Sequence, residues 1–305
     1  MKTIFIIAFG GVFTLALLSF NQKISGNNYK GFNDGYTFVP SGKLELNGES
    51  KSINAFIMLK GEITNFQWME FLSDLRANGD TEKLAICIVD SNKWNTSNSF
   101  NNKYVDFYHS HPAYRDFPVV NISKEAAMLY CDWLSDHFMP NLEEGAKRLK
   151  FRLATHDEWI YAAKGGLTLG AYSWGGPYLT NKEGSQLANY VRYGAENISR
   201  DSTGKLVVVR NDTRGFAPTD FNDVTAPSHS YWPNGYGLYN MNGNVAEMVA
   251  DKNIVVGGSW KDPGYDVRNE SFKPYEGAAP NVGFRVIATA QGSDVPWMKM
   301  KKKKK

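Results

Sequence analysis

The side chains suited to soft-metal or nucleophilic chemistry are few: two cysteines, Cys87 and Cys131, and five histidines. The cysteines stand 44 residues apart. In an exported chain they could form one disulfide, but Cys131 sits in the apolar pattern AAMLYCDWL and reads better as a buried thiol. His109 and His111 are two apart, which would put both imidazoles on one face of a strand. His137, His156 and His229 are isolated in sequence, so a histidine metal centre has little to draw on, and His111 before Pro112 reads as a turn or packing residue. The chain contains no GxSxG nucleophile elbow, no HExxH pair and no phosphate loop. Its Asp and Glu residues are scattered, and sequence does not separate a folded carboxylate pair from a solvated surface.

Positioning these groups falls to a modest set of elements. TFVPSGKLEL and SINAFIMLKGEIT are short, β-rich runs separated by turn signals. ITNFQWMEFLSDLRANG carries apolar residues at helical spacing, opened by Thr64 or Asn65 and stopped at Gly79. The Asn- and Ser-rich stretch from Asp90 to Lys103 reads as a loop. A second helix, capped by Ser123, would bury Ala127, Leu129, Tyr130, Trp133 and Leu134. A third follows Thr155, with Glu158 as capping-box partner and Gly165 and Gly166 as the stop. From Tyr172 onward helical periodicity vanishes, leaving KLVVV, NIVVGGSW and GFRVIAT as short strand-like pieces. A domain so poor in regular structure must satisfy its backbone through buried side chains, aromatic packing or bound ions.

Composition fits a globular chain: 305 residues, 42% hydrophobic and 21% charged. The net charge of +3 is misleading, because Lys299 and Lys301 to Lys305 supply six of the 34 basic residues; without them the balance is 28 against 31. The folded part therefore gives no reason to expect a nucleic-acid partner. Residues 1–20 hold one early lysine and then an uncharged apolar run, the pattern of a secretory signal peptide or of a short membrane anchor, through which the chain could associate with a membrane. Residues 21–35 read as a linker, 36–290 as one domain, and 291–305 as a basic tail.

Taken in order, RLATHDEW, YAAKGG, YSWGG, NGYGLYNMNGNVAEM, GGSW and NVGFRV resemble the formylglycine-generating enzyme family, also called sulfatase-modifying factor. EITNFQWMEFL and FPVVNISKEAAMLYCDWL are similar to it as well. The resemblance implies one α+β domain, the family's variant of the C-type lectin fold. HPAYRDFPVV, the VDSNKW loop before it and GGSWKDPGYD look most like the non-catalytic gliding-motility lipoproteins associated with type IX secretion. The chain departs from a lipoprotein in one respect: SFNQKISGNNYK, after the apolar run, contains no cysteine to carry a lipid.

The family's oxidase chemistry, as the resemblance implies it, uses two cysteines that hold copper as thiolates, since soft sulfur suits Cu(I). Their positions fall close to Asp262 and Val267, and no cysteine follows Cys131, so no copper is expected. The resemblance also implies structural Ca²⁺ held by Asn240, Gly243, Val245 and Glu247, through the hard oxygens that calcium prefers. A second calcium set would fall on Asn189, Tyr190, Asp220 and Asn222. Trp159, Trp174, Trp232, Tyr236, Tyr239, Trp260 and Phe284 could form a carbohydrate platform, but most belong to framework motifs and read as packing. Arg152, Arg268 and Arg285 likewise read as framework donors. The expectation is a non-catalytic protein, exported to the periplasm or the outer membrane, whose partners are envelope proteins of a secretion or gliding complex. The alternatives are a family enzyme with altered cofactor use and a lectin-like glycan binder.

Overall fold

The computed structural model describes residues 35–95, 102–137, 149–191, 198–200, 202–208 and 224–290. In chain order the strands and helices are β1 (Tyr36–Val39), β2 (Gly42–Leu46), β3 (Glu49–Ile53), β4 (Phe56–Leu59), α1 (Asn65–Ala77), α2 (Thr81–Cys87), α3 (Asn102–Phe107), α4 (Lys124–His137), β5 (Leu149–Leu153), α5 (His156–Ala163), β6 (Ile198–Arg200), β7 (Leu206–Val208), β8 (Ala246–Met248), β9 (Ile254–Val256), β10 (Phe272–Pro274), β11 (Val282–Gly283) and β12 (Val286–Ala290). The apolar run, the basic tail, Asp220 and Asn222 lie outside the described residues.

The sequence signals for the three long helices hold. Thr64 accepts from the Gln67 amide while the Gln67 side chain takes the Thr64 amide, so α1 opens on a reciprocal capping box. Thr155 and Glu158 do the same for α5. Ser123 Oγ accepts from the Ala126 amide at the start of α4. One element fills a stretch for which the sequence offers no reading, and another changes a loop assignment. EKLAIC, with Thr81 before it, forms the short helix α2. The polar stretch after Asp90 is not all loop: Ser91–Trp94 make a 3₁₀ turn and bury Trp94 completely. A single indole outweighs its polar neighbours there, because it packs tilted against Tyr104 and Tyr108 and stacks on Trp260.

One sheet has the order β1-β4-β12-β5, antiparallel at each pairing. Its central strands alternate with period two between two apolar layers, as a strand covered on both faces must. Ile57, Leu59, Val286 and Ala288 face α1 and α4, where Trp68, Phe71, Tyr130 and Phe284 pack edge to face or stacked. Phe56, Met58 and Ile287 face the other way, onto Trp159 and Ile160 of α5 and onto Leu238 and Met241. A second sheet, β10-β9-β8-β11, carries the segments that build the site. It is parallel between β11 and β8 and antiparallel elsewhere.

Between these sheets the chain follows long loops, and buried amides hold them. Asn234 donates to the carbonyls of Ala162 and Ala163 and accepts from the amides of Tyr236 and Leu238. Asn242 accepts from the Ser173 amide and donates to Val267 O and Asn269 Oδ1. Each side chain replaces the backbone partners that a strand or helix would have supplied. Both cysteines are free and buried, so the disulfide reading is set aside and the buried-thiol reading stands. Burial pushes the Cys87 thiol up to about 12 and the Cys131 thiol higher still.

Candidate functional site

The Asn240–Glu247 segment enters the core as a tight loop and leaves it as β8. Asn240 and Asn244 both take positive φ, 52° and 65°, which asparagine tolerates better than other side chains. Gly243 at φ 81° is obligatory for a second reason: a Cβ there would stand 2.2 Å from the carbonyl oxygen of Asn189. That close approach lets Asn244 N–H donate to the same carbonyl at 2.7 Å and Gly243 N–H donate to Gly257 O at 2.8 Å.

Around this loop lies a polar cluster walled by apolar side chains. Glu247 is 1% exposed and fully engaged: Arg285 Nη2 donates to Oε1 at 2.8 Å, Arg285 Nε lies 3.1 and 3.2 Å from the two oxygens, and Trp159 Nε1 donates to Oε2 at 2.7 Å. Arg285 completes its fork with the carbonyls of Leu59, Lys60 and Tyr239. One guanidinium thus joins the end of β4, the loop and β8, and its charge meets that of Glu247 out of water.

Glu62, absent from the sequence expectations, is the second carboxylate. It is 1% exposed; Asn244 Nδ2 donates to Oε1 at 2.9 Å and Asn240 Nδ2 to Oε2 at 3.2 Å. Burial pushes its pKa up to about 7; Arg285 opposes that rise and Glu247 adds to it. Asn244 spends every polar group, accepting from the Ala226 amide and Asn189 Nδ2 and donating to Glu62 and Ala226 O. Asn240 Oδ1, by contrast, is buried with no hydrogen-bond partner, and so is Ser228 Oγ.

These facts test the expected calcium ligands one by one. Asn240 suits a hard cation, because its side-chain oxygen is buried and uncommitted. The Val245 side chain packs in an apolar cluster with Trp94, Tyr108 and Trp260, which leaves only its backbone to serve, as for Gly243. Both Glu247 oxygens already accept from Arg285 and Trp159. Of the second set, Asn189 is buried and donates to Val224 O, and Tyr190 packs against Tyr172 and Val267; its other two members lie outside the described residues. Among the described residues no three His, Cys, Asp or Glu side chains converge.

The positions close to which the resemblance puts the family's cysteines carry different chemistry. Asp262 is 7% exposed, accepts from Ser259 Oγ at 2.5 Å and pairs with Lys273, whose ammonium also reaches Asp266 at 2.9 Å. Asn281 Nδ2 donates to Ser259 Oγ and holds that hydroxyl in place. Val267 is wholly buried beside Tyr172, Ala188 and Tyr190. A hard ion-pair network and an aliphatic core residue replace the two thiols, and this donor set does not fit a soft copper ion.

The histidine pair does not converge. His109 and His111 follow α3 in a turn rather than a strand: His109 Nδ1 bonds Asn65 Oδ1, and His111 accepts from the Ala113 amide. Of the aromatic positions, Trp159, Trp260 and Phe284 are core residues, Trp174 stacks flat on Tyr172, and Trp232 is 56% exposed. Arg152 makes a two-pronged pair with Glu158, and Arg268 lies over the Tyr265 ring. Clefts of about 140 Å³ beside Tyr161 and Lys164 and about 240 Å³ beside Tyr265 and Lys273 are smaller than most ligand cavities.

Comparison with known proteins places this geometry. The model of the sulfatase-modifying factor enzyme 1-like domain matches residues 22–290. Formylglycine-generating enzyme of Mus musculus is 31% identical over 134 residues, 44% of this chain and 27% of that protein. Inactive C-alpha-formylglycine-generating enzyme 2 of Bos taurus is 27% identical over 191 residues, 57% of this chain and 51% of that protein. The matched regions thus span about half or less of these curated relatives. Among solved structures, that of CarF superposes with a TM-score of 0.50 at 20% identity, covering 83% of this chain and 97% of the other.

Proposed function

Because the chain belongs to the sulfatase-modifying factor enzyme 1-like domain family yet carries no thiol at either position of that family's copper pair, we propose that it is a non-catalytic exported member. It acts through protein contacts in a bacterial envelope assembly of the secretion or gliding type, in the periplasm or at the outer membrane. The observation that carries this reading is the Asp262 network: Ser259 and Lys273 bond the carboxylate that stands where a thiol would be needed, and Asn281 in turn bonds the Ser259 hydroxyl. Family members named inactive provide a precedent for the fold outlasting the reaction. Tyr178, Trp232, Tyr265 and Phe272 lie exposed on the described surface and offer apolar contact points for a partner. Calcium at the Asn240–Glu247 segment is part of this reading as a structural ion that fixes the loop.

Affinity purification from the native envelope, followed by mass spectrometry, tests the assembly role; recovery of envelope complex subunits is the expected result. If the purified protein converts a sulfatase-type cysteine peptide in the presence of copper and oxygen, the reading fails.

A further inference from the structure

The buried cluster holds an unbalanced charge. Glu62 and Glu247 bring two carboxylates within electrostatic reach of one guanidinium, Arg285, and that guanidinium bonds Glu247 directly. The other groups facing Glu62 are neutral amides, those of Asn240 and Asn244, with the Tyr108 phenol nearby. A carboxylate excluded from water without a positive partner is costly, and it is relieved either by taking up a proton or by a bound cation.

Two orphaned oxygens lie on residues next to this segment, one on a hydrogen-bond partner of Glu62 and one on a residue packed against Gly61. Asn240, whose amide touches Glu62, has its Oδ1 buried and unpartnered. Ser228, fully buried with Oγ unpartnered, lies against Gly61, where a Cβ would meet the Ser228 carbonyl oxygen at 2.6 Å. The carbonyl of its neighbour Pro227 accepts from Asn240 Nδ2. Carboxylate, amide oxygen, hydroxyl and carbonyl are all hard oxygen ligands.

We propose that Glu62, rather than Glu247, is the carboxylate that this chain presents to a hard divalent cation, with Asn240 and Ser228 supplying further oxygens. The proposal rests on the calcium reading of the Asn240–Glu247 segment and changes which residue carries its charge. Glu247 becomes a positioning residue that holds Arg285, and through it the loop.

Calcium titration by calorimetry, together with thermal melts at pH 8 in calcium or in chelator, tests this on the full-length wild type, Glu62→Gln, and the exposed control Glu49→Gln. The expected result is a calcium-dependent rise in melting temperature for wild type and Glu49→Gln, and an affinity at least ~10-fold weaker in Glu62→Gln. Equal affinity in Glu62→Gln overturns the assignment to Glu62 while leaving the calcium reading intact. No response from wild type overturns both. Should Glu62→Gln fail to fold, Glu62→Asp keeps the charge on a shorter stem; weakened binding supports the proposal and unchanged binding overturns it.

Discussion

Lowering the pH from 7 to 5 tests the burial of a single imidazole. His109 is partly exposed as a residue, but its Nε2 is sealed from water and has no hydrogen-bond partner. Asn65 Nδ2 donates to the carbonyls of Tyr108 and Tyr114, which fixes that amide and leaves Oδ1 to accept from His109 Nδ1–H. A second proton would have to enter at Nε2, and burial therefore lowers the pKa from 6.5 to about 3. The unfolded chain takes that proton below pH 6.5 while the native protein refuses it. The stability due to this group is complete above the unfolded value and is lost as pH falls toward 3. Between pH 7 and pH 5 the loss is about 2 kcal/mol. Urea denaturation followed by tryptophan fluorescence at both pH values, on wild type and His109→Phe, isolates the effect. His156 and His229, whose pKa values are also lowered by burial, titrate in both proteins and cancel. The gap between the two proteins should change by about 2 kcal/mol, whatever the substitution costs at pH 7. Parallel stabilities at the two pH values would refute the reasoning.

Three other outcomes are expected. Asp262→Asn should cost about 1–3 kcal/mol in chemical denaturation, because it takes the charge away from Lys273 and the Ser259 hydroxyl. Gly243→Ala should cost about 2–4 kcal/mol or prevent folding, since positive φ and the Asn189 carbonyl both oppose a Cβ; a soluble variant with an unchanged melting temperature would contradict the loop geometry. Neither Cys87 nor Cys131 should react with a disulfide reagent in the native state, and both should react in denaturant, which a colorimetric thiol assay reads directly.

What the sequence made legible follows the range of the forces involved. The helices at Asn65, Lys124 and His156 are announced by caps and apolar spacing, which act over four residues. Trp94 escaped notice because its burial depends on Tyr104, Tyr108 and Trp260, not on its Asn- and Ser-rich neighbours. The polar cluster divided in the same way. Asn240 and Glu247 belong to a recognisable motif, whereas Glu62 meets it across 178 and 182 residues, as the partner of Asn240 and Asn244. A carboxylate directly after glycine at the end of the apolar run AFIMLK was the local trace it left. The missing thiols were visible at once, but the network of Ser259, Lys273 and Asn281 around Asp262 needed the fold.

The place of β12 between β4 and β5 also dictates when this domain can form. β4 pairs with β1 within its own neighbourhood, yet its other edge waits for Ile287 and Ala288, and Arg285 reaches Leu59 O across 226 residues. Pairings of such high sequence separation form slowly compared with local helices. A nascent or shortened chain that stops before Val286 leaves one edge of β4 open and β5 without its strand partner, and such edges recruit other chains. β12 thus acts as a checkpoint: until it docks, the sheet is incomplete and the molecule is a candidate for aggregation or proteolysis.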